Sequence, residues 1–316
     1  MSIIAVGIGA GLVSALLFAV VITGSLLGVL LSYIAPLPVL IAALGWNHRS
    51  GLIATAAGGL ATAIAFRPEA GLAFAIGSAL PGWWLAYLTL LGRPTATGME
   101  WYPLGRLLLW LAGIASVVTL SGVMALGSGS YSDYRDTLRQ ALEGVLRLQG
   151  AAPPPDAGAS TTMLDVLITV VPFIAAGVFV AVYALNLWLA AKVVLVSGRL
   201  PRSWPSISST AMPRSALALL FAAIAASFAP GLLGVGGLAL AGALVMAFAF
   251  QGLGLLHEAS RGRAGRAALL GVVYALVLVV GHTVLPLLAL AGIVDTALDL
   301  RNRFGSGGAG PLHPST

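Results

Sequence analysis

His282 stands near the middle of the last apolar run of the chain, with Thr283 beside it and Pro286 one turn further on. An ionisable ring is expensive to hold at membrane depth. It therefore either serves a substrate or a proton, or bonds to a neighbouring helix. Asn186 and Gln251 sit inside two other apolar runs. Each carboxamide can bond across helices or face a cavity. These three side chains are the candidates for contact with a ligand.

Other chemistry finds little support. No carboxylate pair falls mid-run, which weighs against a carboxylate-driven proton antiporter. Asp165 and Asp295 lie near the ends of their runs, where water is the expected partner, and Lys192 is placed to snorkel to the headgroups. His257-Glu258 begins like a zinc-protease helix, but the position four after His257 is Arg261. Gly7, Gly9 and Gly11 miss the dinucleotide fingerprint, because the third glycine comes one residue early. There is no P-loop, so the chain does not hydrolyse ATP by that route. The absence of cysteine excludes disulfides and thiolate-held metals. No cofactor, no metal and no catalytic activity are expected.

The elements that must position these residues are helices in lipid. Of 316 residues, 59% are hydrophobic and 8% charged, against about 25% charged in a soluble domain. A surface so apolar cannot stay wet. The runs are continuous rather than alternating, so they read as helices and not as a barrel. The expected fold is an all-α, polytopic membrane bundle of eight or nine transmembrane helices. Runs are read at about 3–22, 26–46, 51–66, 70–91, 107–126, 163–196, two within 216–251, and 267–294. Residues 1–303 would form one membrane domain, and 304–316 a disordered tail rich in Gly, Ser and Pro.

Residues 127–162 form the one long hydrophilic stretch. Tyr131, Tyr134, Leu138, Leu142 and Val145 recur at three- and four-residue steps, making an apolar stripe. Arg135, Arg139, Glu143 and Arg147 occupy another face. This reads as a helix lying at the lipid interface, or as a lid over a site. Ala151 to Asp156, with three prolines, reads as a stiff connector.

The net charge of +6 suits loops that fix orientation rather than a nucleic-acid surface, so no nucleic acid is expected as partner. The loops Arg199–Arg214 and Arg261–Arg266 mark the cytoplasmic side. Counting from them puts the N-terminus inside and the C-terminus outside, which leaves Arg301 and Arg303 on the wrong side. Met1 to Ala10 carry no basic side chain, so the first segment is expected to stay as an anchor rather than be cleaved. Gly7, Gly11 and Ala15 make a small-residue face, fit for internal packing or for a partner helix. Trp46, Trp84, Trp101 and Trp204 mark the interfaces. Trp83 and Trp84 follow Pro81, and a bend there would aim them inward.

Ala35-Pro36-Leu37-Pro38-Val39-Leu40, then Leu44-Gly45-Trp46, and the ending Gly292-Ile293-Val294-Asp295-Thr296 with Leu300-Arg301 resemble the YybS-like predicted membrane proteins (domain of unknown function 2232). The resemblance covers roughly residues 3–303 and implies no established activity. That family is loosely similar to the substrate-binding membrane components of energy-coupling-factor transporters, which usually have six helices and a small-residue face on the first. The resemblance implies a transport-related component of the bacterial cytoplasmic (inner) membrane that binds a small molecule within the bundle. Its partners would be the lipid bilayer, other membrane proteins and ATPase subunits. The alternative is a non-catalytic scaffold or assembly factor of the cell envelope.

Overall fold

Prolines and capping residues decide where the helices begin and break. The computed structural model describes residues 2–96, 98–148 and 158–300. The connector expected at 151–156, the tail expected at 304–316, and Arg301 and Arg303 lie outside the described residues.

Helix α1 (Ile3–Ala19) starts at Ser2, whose hydroxyl accepts from the Ala5 N–H, and closes in a 3-10 turn that ends at Gly24 with φ 63°. Helices α2 (Leu26–Tyr33) and α3 (Pro36–Gly45) form one apolar segment broken at Ile34-Ala35. Pro36 and Pro38 have no N–H to return to the preceding turn. The Leu37 N–H turns to the Ile34 carbonyl, and the Tyr33 carbonyl left over accepts from Asn186 Nδ2 at 2.8 Å. Helix α4 (His48–Ala65) is capped by Asn47. Helices α5 (Pro68–Phe74) and α6 (Leu80–Thr89) are joined by a π turn, Ala75–Ala79. A small antiparallel hairpin, β1 (Gly92–Thr95) and β2 (Gly98–Trp101), leads to α7 (Leu104–Leu126) and α8 (Tyr131–Leu148). Then come α9 (Gly158–Val196), α10 (Ser215–Ser227), α11 (Gly231–Ala259) and α12 (Arg266–Leu298).

The protein is an all-α membrane protein. Each of the nine runs read from the sequence falls on helix. Among the described residues, seven segments are long and apolar enough to cross a bilayer. Helix α4, which opens with His48 and Arg49, and the 13-residue α10 fall short of that. Helix α11 is the centre of the bundle, with Ala239, Ala243, Leu244, Ala247 and Phe248 buried among α7, α9, α10 and α12. Its glycines bring backbones together: a Cβ on Gly242 would collide with the Phe173 carbonyl of α9.

Side-chain contacts sort the helix ends into two groups. At the basic end, the Arg199 guanidinium lies 4.5 Å from the Trp46 ring, Arg202 bonds the Thr89 carbonyl, and Arg261 donates to Ser208 Oγ at 3.0 Å. The ends of α3, α6, α9 and α11 therefore meet the starts of α4, α7, α10 and α12. At the opposite end, the first part of the apolar stripe of α8 packs on the bundle, while Val145 further along is exposed. Tyr134 is buried against Val123 of α7 and Val235 of α11. Arg135 bonds Asp165 at 2.7 Å, and Arg139 bonds the same oxygen. Asp165, expected to touch water, is 42% exposed and is also held by these two guanidinium groups.

Helix α12 departs most from expectation. A straight helix of 33 residues would be about 50 Å long at 1.5 Å per residue, too long for a core of about 30 Å. It breaks at Val280, whose φ −127°, ψ 40° is not helical. Near its end, Asp295 accepts from Gln251 Nε2 at 2.7 Å, and Gln251 Oε1 accepts from the Met212 N–H at 2.9 Å. Met212 belongs to the loop between α9 and α10. The end of α12 thus returns to the basic end from which it set out at Arg266. This corrects two expectations. The described C-terminal end lies beside the basic loops, not across from them, and Asp295 is buried at 4% exposure rather than wet.

Reporter fusions at the C-terminus check this. Green fluorescent protein placed there is expected to fluoresce and alkaline phosphatase to be inactive, as with fusions made after Arg263. Opposite readings at the two points would show that α12 crosses once.

Candidate functional site

Pro81 shapes the site. It cannot return an N–H to Gly77, and the π turn before it releases further carbonyls. Tyr183 of α9 meets this need: its hydroxyl lies 3.0 Å from the Gly77 carbonyl and 2.7 Å from that of Ser78. The extra residue in the turn rotates the following helix by about 100°. Trp83 and Trp84 are thereby brought to the wall of a cavity of about 990 Å³ between α6, α7 and the start of α10. In place of the bend expected at Pro81 there is a π turn just before it, and both indoles line the cavity.

The facing wall is one stripe of α7 and the residues before it. Tyr102, Arg106, Trp110, Gly113 and Val117 follow at three- and four-residue steps and all line the cavity. Trp84 and Trp110 meet edge to face with centroids 5.6 Å apart. Trp110 Nε1 donates to the Tyr102 hydroxyl at 3.1 Å. Arg106, in the first turn of α7, is exposed at the mouth, and its guanidinium makes no hydrogen bond or ion pair with another described residue. An added Cβ on Gly113 would meet no atom within 4 Å, so the cavity reaches the α7 backbone there.

A smaller cavity of about 390 Å³ lies under the β-hairpin and shares Tyr102 and Arg106 with the first. Arg93 and Glu100 on its rim pair at 2.7 Å. Its frame is held by Arg202, which is 5% exposed. Arg202 Nη1 donates to the Thr89 carbonyl at 2.8 Å and lies 3.4 Å from that of Tyr102. Its guanidinium also lies near the Trp101 and Trp204 rings, at 5.6 and 6.0 Å. Burial lowers its pKa from the ordinary arginine value. The carbonyls and ring faces offset that desolvation.

The structure does not bring His282, Asn186 and Gln251 together, and none of them lines either cavity. Asn186 is buried and bonds the broken turn at Tyr33 and the Val182 carbonyl. Gln251 is buried with both ends of its amide engaged, accepting from Met212 N–H and Thr296 Oγ1 and donating to Asp295. His282 is exposed, two residues past the break in α12, and bonds no other described residue. Gly7 and Gly11 lie against α4, where an added Cβ would meet Ser50, Ile53 and Ala54, and Ala15 is buried in the same region. That face is occupied within the chain. The residues missed from sequence are Tyr102, Arg106, Trp110 and Gly113. Their helical spacing was the available signal, hidden because Trp101 and its neighbours read as a loop with an interfacial anchor. Among the described residues, no group of three His, Cys, Asp or Glu side chains is placed to hold a metal.

Comparison with curated proteins and with solved structures finds no match. A family model described as "Predicted membrane protein (DUF2232)" matches residues 12–296, and the chain belongs to that family of membrane proteins.

Proposed function

We propose that the protein is a transport-related component of a bacterial cytoplasmic membrane that binds a small molecule in the cavity between α6, α7 and α10. The observation that carries this reading is the cavity itself: about 990 Å³, apolar and aromatic, opening beside Arg106. Its volume falls at the upper end of the range usual for ligand pockets. One wall is a membrane segment interrupted by a π turn and Pro81, and interrupted helices commonly line substrate sites in transporters. The chain has no P-loop, so movement of a ligand would draw on partner ATPase subunits, as in the energy-coupling-factor transporters. The reading assigns no catalysis.

A second reading, a non-catalytic envelope scaffold, rests on the first half of α12. The most apolar window of that helix has none of its residues buried, which leaves side chains such as Leu278 and Val279 free for a partner. Affinity purification in mild detergent, with co-purifying proteins identified by mass spectrometry, separates the two. ATPase subunits with a coupling membrane protein are expected. Envelope-assembly proteins without ATPases would replace the transport reading with the scaffold.

A further inference from the structure

We infer that the cavity takes a membrane lipid with an anionic headgroup, its acyl portion in the 990 Å³ cavity and its headgroup in the 390 Å³ compartment under the hairpin. The inference rests on the reading that this cavity binds a small molecule, and it names that molecule's class.

Four observations converge on it. The two compartments differ in chemistry yet share Tyr102 and Arg106, so one amphipathic molecule can occupy both across that junction. The charges lining the smaller compartment are Arg93, Glu100 and Arg106; the first two pair with each other, which leaves Arg106 as surplus positive charge. Helix dipoles disfavour a cation in the first turn. Arg106 stands in the first turn of α7 with no acid paired to it among the described residues, so the helix gains nothing from its charge. The Tyr102 hydroxyl accepts from Trp110 Nε1, and its own proton remains available to donate. Arginine and a phenolic O–H together suit a phosphate oxygen.

Depth points to a lipid rather than a soluble anion. The α7 wall runs from Arg106 to Val118, about 18 Å of helix. Half of a core of about 30 Å is one leaflet. A lipid in the leaflet at the basic end can therefore enter with its headgroup at its usual level and its chain along Trp84, Trp110 and Gly113.

The test uses the full chain in phosphatidylcholine vesicles that contain a fixed fraction of brominated lipid, with tryptophan quenching as the readout. Brominated phosphatidylglycerol is expected to quench with about fivefold higher apparent affinity than brominated phosphatidylcholine, the preference one basic residue supplies at a membrane surface. Arg106→Gln should remove that preference. Arg67→Gln, at the other end of the bundle, should leave it. Gly113→Phe fills the cavity where an added Cβ meets no atom and should remove the cavity's share of quenching by either lipid. If the two lipids quench alike and Gly113→Phe lowers both, the headgroup inference is overturned while the cavity still binds. If Gly113→Phe changes neither, the cavity does not bind lipid and the inference is overturned, while the reading of a small-molecule site is left to the co-purification experiment. Size-exclusion profiles of each variant establish that it is folded.

Discussion

Gly292→Val is expected to eliminate most of the folded protein, whereas Gly271→Val on the same helix leaves it nearly untouched. Gly292 of α12 and Gly252 of α11 face each other where the two helices cross. A Cβ on Gly292 would run into the Phe248 carbonyl, and one on Gly252 into that of Leu288. The obstacle in both cases is backbone, which cannot rotate aside as a side chain can. The helices would have to separate, and helices in lipid are held mainly by such close packing. Overpacking of a core costs about 1–3 kcal/mol even where side chains can adjust, so the loss here should reach or exceed the top of that range. Gly271 lies on the bare first half of α12, where an added Cβ meets nothing within 4 Å. Monodisperse yield and the heat-aggregation midpoint in detergent decide the matter. Equal behaviour of the two variants would mean that the crossing is not as close as described.

The second large effect is at Gln251. Its carboxamide bonds Met212 N–H, Thr296 Oγ1 and Asp295 Oδ2 in a region where all three residues are buried. Gln251→Leu keeps much of the volume but removes all three of these bonds. Each buried polar group left without its partner costs about 1–3 kcal/mol, and a carboxylate more. The variant should therefore lose several kcal/mol and show a markedly lower midpoint. Asp295→Asn retains an acceptor for the Gln251 amide and should be much milder. A Gln251→Leu protein as stable as the parent would show that this network does not hold the end of α12 in place.

The helical runs were legible because lipid demands continuous apolar stretches, and each run read from the sequence is helix in the structure. The disturbance at Pro81 was legible from its missing N–H, but the break at Pro36 falls inside a run read as one helix, 26–46. What pattern could not say is which neighbour a face meets. The stripe of α8 shows its period plainly, but the same stripe fits lipid or Val123 and Val235 equally well. Asp295 looked wet because it stands near the end of an apolar run; its burial depends on where that end returns. The break in α12 leaves almost no trace, since both halves are apolar and the break is a single residue. Of the cavity, Trp83 and Trp84 could be foreseen. The facing wall could not, because its period straddles the boundary between a loop and α7. His282 drew notice by its depth, yet depth alone does not say whether a side chain faces a site or the outside of the bundle.

The break in α12 at Val280 also bears on how the protein is made. Its first half, about 21 Å long at 1.5 Å per residue, has no stable place in the bilayer until the second half follows it. The two halves must leave the translocon as a pair and dock on α11 as one event, after the rest of the bundle has gathered. Until then the Gly252 groove stays empty and Gln251 lacks its bonds to Asp295 and Thr296. An undocked last helix is thus the form of this protein that a membrane-embedded quality-control protease would meet most often. Cellular abundance should follow the closeness of that docking more than the stability of any helix made before it.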